Sequence, residues 1–195
     1  MGERVGIFGG TFDPPHVGHL VAAVNVRFDL ELDRMLLVVA NEPWQKTGER
    51  EVTPAEDRLA MVAAAVADHA GLEASDIEIR RGGPSYTADT LEELSAASPD
   101  DVLHVVLGWD AAVGLPSWER VDRVRELAEI VVVDRPGGQA QLPEGFRWTR
   151  VVIPQLDVSS TDVRDRLADG RPVDYLLPDR VVECLRERRL YRSRR

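Results

Sequence analysis

Short, almost unbroken apolar runs alternate with longer stretches whose apolar residues recur every three or four positions. "RVGIF" (4–8), "MLLVV" (35–39), "VLHVVLG" (102–108), "EIVVVDR" (129–135) and "RVVIP" (150–154) read as buried strands, and "IEI" (77–79) as a short one. Between them, "GHLVAAVNVRFDL" (18–30), "TPAEDRLAMVAAAVADHA" (53–70), "TLEELSAA" (90–97), the stretch from Trp118 to Ala128, and segments at 160–168 and 179–189 carry the helical period. The second of these has the clearest start. Thr53 can N-cap it, Pro54 suits the first helical position and Glu56 completes a capping box; Leu59, Val62, Ala63 and Val66 share one face. "DRPGGQAQLPEG" (134–145) is the most loop-like stretch, and the chain shows no repeat and no low-complexity linker.

Alternating strand and helix predicts an α/β fold: a doubly wound, mainly parallel sheet covered on both faces. The 195 residues suit one domain, 1–195, with a small helical part from about 159 to the C-terminus. Ligands of such sheets lie beyond the carboxyl ends of the strands, so unusual polar residues should collect just after each strand. They do: Gly9 to His19, Asn41 to Lys46, "PSYTADT" (84–90), "GWD" (108–110), Arg135 and "SSTDVR" (159–164). Six segments distant in sequence would meet at one rim.

Composition narrows the chemistry. The formal net charge of −10 argues against a nucleic-acid coat, so an anionic ligand must be met by local donors and a metal. The one basic block, "RERRLYRSRR" (186–195), reads as a solvated or frayed terminus. Cys184 is the single cysteine, which rules out an internal disulfide and fits a reducing compartment. No apolar run could span a bilayer and "MGERVGIFGG" lacks a signal pattern, so a cytoplasmic protein is expected.

The first post-strand segment, "IFGGTFDPPHVGHL" (7–20), carries the sharpest chemistry. Gly9 and Gly10 allow a sharp turn and close approach of a ligand. A helix starting near Val17 presents free N–H groups and its positive dipole end to an anion. His16 and His19, three apart, can face the same way there. A zinc pair would need further ligands, and Cys184 is remote with no partner motif. In "SSTDVR", Ser159 or Ser160 caps a helix start, and Arg164 lies about one turn in, where its guanidinium can fork onto phosphate oxygens; an ordinary capped helix reads the same way.

"GGTFDPPHVGH" resembles the first signature of the nucleotidyltransferase superfamily (His or Thr, any residue, Gly, His), and "SSTDVR" the second, Ser-Ser-Thr-x-x-Arg. "SYTADTLEEL", "GWDAAVGLPSW" and "VVVDRPG" narrow the resemblance to the nicotinate-mononucleotide adenylyltransferases of bacteria, and it covers essentially the whole chain in order. It implies a Rossmann-like nucleotidyltransferase fold that joins ATP and nicotinate mononucleotide into deamido-NAD, releasing pyrophosphate. It further implies that His16, Gly18 and His19 bind the triphosphate, with His19 near the α-phosphorus, and that Gly9, Gly10, Thr11 and Phe12 line the nucleotide pocket. Gly108 and Asp110 would hold the adenylate side, with Asp110 near a hydrated Mg2+ carried by the phosphates, and Arg135 would join the ATP site. Ser159, Ser160, Thr161 and Arg164 would grip the outer phosphates. Gly9, Lys46, Ser85, Tyr86, Thr87 and Trp118 would meet the mononucleotide, with N–H groups around Thr87 on the pyridine carboxylate and Trp118 stacked on the ring.

The chain departs from the family after strand two, where "ANEPWQKTGER" stands in place of a Pro-Pro-His-Lys-like stretch; Lys46, the only lysine, falls at the lysine position. His16, His19, Lys46, Arg164 and Mg2+ are the expected charge partners in transfer. Arg50 and Arg58 either serve the substrate phosphate or face solvent, Trp109 is pocket wall or core, and the place of Trp44 stays open, as does the oligomeric state, a homo-oligomer included. The alternatives are a sister adenylyltransferase for nicotinamide mononucleotide or phosphopantetheine, an aminoacyl-tRNA synthetase fragment, which should carry a lysine-rich second signature, and a silent nucleotide-binding module. A dinucleotide-binding dehydrogenase is disfavoured because "GIFGGTFDP" lacks the G-x-G-x-x-G spacing.

Overall fold

The computed structural model describes residues 2–43, 52–134, 141–154 and 156–191. Among them, six strands form one sheet: β1 (Arg4–Gly10), β2 (Arg34–Val39), β3 (Leu72–Ser75), β4 (Val102–Gly108), β5 (Ala128–Asp134) and β6 (Trp148–Val152). Every neighbouring pair is parallel and the order is β3-β2-β1-β4-β5-β6. The helices are α1 (Val17–Asp29), α2 (Ala55–Val66), α3 (Ile77–Arg81), α4 (Thr87–Ala97), α5 (Trp109–Gly114), α6 (Val121–Leu127), α7 (Ser160–Asp169) and α8 (Asp179–Glu187).

The unbroken apolar runs follow from burial on both faces. Side chains alternate along each strand, so Met35, Leu37 and Val39 of β2 enter one core with α1, α2, α7 and α8. Leu36 and Val38 enter the other, with α4, α5 and α6. β4 and β5 divide the same way, Val106 and Val131 to the first core and Val105 and Val132 to the second. The C-terminal helices share the first core through Val163, Val181 and Leu185, so they are part of the sheet's own cover. No described helix is long and apolar enough to cross a membrane.

Several local expectations are corrected. The third strand is Leu72–Ser75, and "IEI" begins the short helix α3 instead. α2 starts at Ala55 with Pro54 at the cap position, and no side chain caps it. Thr53 lies outside the helix, and the buried face is Arg58, Met61, Val62, Ala65 and Val66, with Ala63 exposed. Trp118 ends a 3-10 turn (Leu115–Ser117), and the helix expected from it begins at Val121. Within the described part of the basic block, Arg188 pairs with Asp57 of α2 at 2.6 Å, so this part of it is neither frayed nor merely solvated.

Candidate active site

Strand order reverses between β1 and β4, which opens a crevice at the carboxyl ends of those two strands. Gly9 and Gly108 stand at its lip. A Cβ built on either meets nothing within 4 Å, so the space beside both backbones is open to a ligand. Here a cavity of about 170 Å³ is lined by Gly9, Gly10, Thr11, Ser85, Tyr86, Thr87, Gly108 and Trp118. A cavity of ~150 Å³ takes one benzene ring, so this one has room for a six-membered heterocycle. Its mouth is shaped by two crossings from the β2 loop. Asn41 N–H donates to Ser85 Oγ at 2.8 Å, and Ser85 N–H to the Glu42 carbonyl at 3.1 Å. Trp118 is half-buried at the cavity wall, which Thr87 at the start of α4 also lines. Tyr86 is the residue before that start.

A second group of residues gathers at the turn between β1 and α1. Phe12 takes a left-handed φ of 50°, uncommon for a bulky residue. Its ring fills the space over Gly10, where a Cβ would lie 2.8 Å from it. The ring also meets His19 edge-on at 5.0 Å between centroids. His16 precedes α1 and is buried, with its ring 3.8 Å from that of His19. Gly18 makes room for this pair: a Cβ there would come within 3.1 Å of the His16 ring and 3.0 Å of Val158. The His16 N–H donates to His19 Nδ1 at 3.1 Å. That bond assigns the ring proton of His19 to Nε2, the atom able to donate outward to an anion.

The second signature is brought onto this turn from about 150 residues away. Ser159 caps α7, accepting from the Asp162 N–H at 3.1 Å. The Ser160 hydroxyl donates to the Pro14 carbonyl at 2.8 Å and Arg164 Nη1 to the Asp13 carbonyl at 2.7 Å. Arg164 Nη2 also reaches Thr161 Oγ1 at 3.0 Å. The guanidinium and hydroxyl expected to grip phosphates therefore also tie two signatures together. Asp110 is exposed on the first turn of α5, beyond Gly108.

Arg58 does not face solvent. It is 1% exposed and donates to three backbone carbonyls: Thr53 at 2.7 Å, Thr11 at 2.9 Å and Asn41 at 3.1 Å. Trp109 is half-buried against the second core, with the Arg150 guanidinium 5.7 Å above its ring. Lys46 and Arg135, with Trp44 and Arg50, lie outside the described residues. Sequence reasoning missed Tyr191, whose hydroxyl donates to the Asp13 carboxylate.

The remaining site residues thus form two adjoining groups: a ring-sized cavity at the switch point, and the His16–His19 turn backed by α7. Thr11 lines the cavity and precedes the turn, joining them. Among the described residues no cluster of three or more His, Cys, Asp or Glu could hold a metal ion by itself.

Comparison with known proteins gives the family and the fold. The cytidylyltransferase-like family matches residues 7–166. A protein of Saccharopolyspora erythraea named probable nicotinate-nucleotide adenylyltransferase is 45% identical, covering 98% of this chain and 91% of its own. One of the same name from Roseiflexus sp. is 46% identical, covering 96% and 98%. A solved structure, the Plasmodium falciparum nicotinic acid mononucleotide adenylyltransferase complexed with NaAD, superimposes with a TM-score of 0.79 at 17% identity, over 97% of both chains, and so shares the fold. With two signatures in contact at the switch point and relatives alike from end to end, the chain belongs to the cytidylyltransferase-like family, among the relatives named for nicotinate-nucleotide adenylyltransferase.

Proposed function

We propose that this protein transfers the adenylyl group of ATP to nicotinate mononucleotide, giving nicotinate adenine dinucleotide and pyrophosphate, a step of NAD biosynthesis that would take place in the cytoplasm. The observation that carries this reading is the contact between the signatures, Ser160 and Arg164 on the carbonyls of Pro14 and Asp13. It places a guanidinium, a helix start and the His16–His19 pair around one turn. The relatives' names support the choice of mononucleotide, and the ring-sized cavity lined by Trp118 suits a pyridine ring.

The nucleophile is a phosphate oxygen of the mononucleotide. Its second pKa of about 6 leaves it mostly dianionic at neutral pH, so no general base is needed. The barrier is repulsion between two anions and the charge that grows on the phosphates during in-line displacement. His19 Nε2–H donates to the phosphate under attack, His16 holds the His19 ring by its backbone N–H, and the start of α1 adds N–H donors. Arg164 and the start of α7 receive the leaving pyrophosphate, with Ser159 and Thr161 beside them. Gly9 and Gly108 let the backbone approach, and N–H groups around Thr87 receive the ring carboxylate. Mg2+ fits as an ion carried by triphosphate and water, which needs few protein ligands; Asp110, exposed beside Gly108, would hold one of its waters. Bound there, the ion would supply positive charge against that developing on the phosphates.

The test is one assay: purified protein, ATP and Mg2+ with nicotinate mononucleotide, nicotinamide mononucleotide or phosphopantetheine, followed for pyrophosphate and adenylylated product. The nicotinate substrate is expected to react fastest. Faster reaction with another acceptor would reassign the enzyme, and ATP binding with no pyrophosphate would leave a binding module.

A further inference from the structure

The turn that carries His16 is held at four points. Arg58 Nη1 takes the carbonyl of Thr11, the Tyr191 hydroxyl takes the carboxylate of Asp13, Arg164 takes the Asp13 carbonyl and Ser160 the Pro14 carbonyl. Two of these contacts, those of Arg164 and Ser160, belong to the second signature. The other two belong to no motif, and they are connected. Thr53 Oγ1 donates to the Tyr191 hydroxyl at 3.2 Å, while the Thr53 carbonyl accepts from Arg58 Nε at 2.7 Å. A continuous hydrogen-bonded chain thus runs from Asn41, through Arg58, Thr53 and Tyr191, to Asp13.

Neither Arg58 nor Tyr191 lines the cavity. Arg58 is 1% exposed and Asp13 also 1%. A buried guanidinium and a buried carboxylate are costly, and apolar groups of similar volume often serve stability as well or better. What apolar groups cannot do is fix three carbonyls and a carboxylate in one geometry. Burial and the Asp13 carboxylate push the Tyr191 hydroxyl well above its ordinary range, so it stays a donor at working pH.

We propose that Tyr191, braced from behind by Thr53 and Arg58, is a positioning residue: it holds Asp13 so that His16 and His19 stand in line with the phosphate under attack. Its catalytic consequence rests on the adenylyltransferase reading; its structural one does not.

Tyr191→Phe deletes only the hydroxyl. The chain has four histidines, His16, His19, His69 and His104, so imidazole NMR signals of the ligand-free protein report the turn with two internal controls. The variant is expected to move the His16 and His19 signals and leave those of His69 and His104 in place. In turnover, kcat falls about 10- to 100-fold while both KM values stay within about twofold, the pattern of a displaced reacting group. Asp13→Asn reproduces the signal shifts, and the double variant adds little to either single one. Unmoved His16 and His19 signals overturn the proposal, as do equal movements of all four or additive losses in the double variant. Wild-type protein that makes no dinucleotide would sink the proposed reaction alone, and the NMR arm would still decide the role of Tyr191.

Discussion

At the scale of single residues, the site divides into groups that act on charge and groups that act on shape. In the proposed reaction His19 is the first kind, with Nδ1 accepting from the His16 backbone and the ring proton on Nε2. Removing one such transition-state donor costs about 10²–10³ in kcat. His19→Ala should therefore lose turnover by that factor while the KM for ATP changes little; steady-state kinetics showing the reverse split would remove it from the transition state. In the same proposed reaction Trp118 is the second kind. Trp118→Ala forfeits a ring contact worth about 0.5–1.5 kcal/mol, so mononucleotide affinity should drop roughly two- to tenfold. Calorimetric titration should show ATP binding intact, and unchanged mononucleotide affinity would end the stacking assignment. That His16, Gly18 and His19 lie together was legible in the sequence because they are at most three residues apart at one helix start. Arg58 and Tyr191 were not, because their partners lie 47 and 178 residues away. An arginine inside a helical period reads as a solvent face, and a tyrosine amid basic residues reads as tail.

At the scale of elements, periodicity fails where the element is short. β3 reads Leu72–Ser75, with one buried apolar residue followed by Glu73, and takes its place from pairing with β2, Met35 opposite Leu72. "IEI" alternates like a strand but is a single helical turn whose Glu78 accepts from Thr90 Oγ1 at 2.7 Å. Capping was legible where the cap is a side chain, as at Ser159, and misread at Thr53, whose carbonyl and hydroxyl are committed to Arg58 and Tyr191. The cap of α7 has a double duty, because the turn it starts carries Ser160 and Arg164. Ser159→Ala should cost about 1 kcal/mol of stability, within the usual range of about 0.5–2, read as a lower urea midpoint at unchanged slope. Because Ser160 and Arg164 keep their own bonds to the β1–α1 turn, kcat should fall less than for His19→Ala. An unchanged midpoint would show that α7 is set by packing of Val163 alone.

At the scale of the whole molecule, the doubly wound sheet was legible because both of its faces are covered and the strands therefore read as runs. The same burial makes the fold sensitive to pH through His104, on β4 beneath the site. It is 1% exposed, and burial pushes its pKa below the ordinary 6.5. Glu129, 3.4 Å from Nε2, and the Val102 carbonyl act the other way without prevailing, while Arg4 adds to the lowering. The folded state thus refuses a proton that the unfolded chain accepts near pH 6.5. The stability from keeping His104 neutral is fully present above that pH and is lost as pH falls toward the depressed value. Tyr191 sets the opposite limb. Its pKa is raised, so its contribution is full below its ordinary value of 10.0 and is lost as pH climbs beyond. Burial also pushes the Cys184 thiol above its ordinary 9.0, so urea midpoints should form a plateau between about pH 7 and 9 and fall on each side, Cys184 and Tyr191 together making the alkaline limb. His104→Gln, neutral throughout, should flatten the drop between pH 7 and 5.5 and leave the alkaline limb in place. Tyr191→Phe should leave the acid limb in place and lessen the fall above about pH 10, the part due to Cys184 remaining. An acid limb of the same steepness in His104→Gln would move the cause to the surface carboxylates.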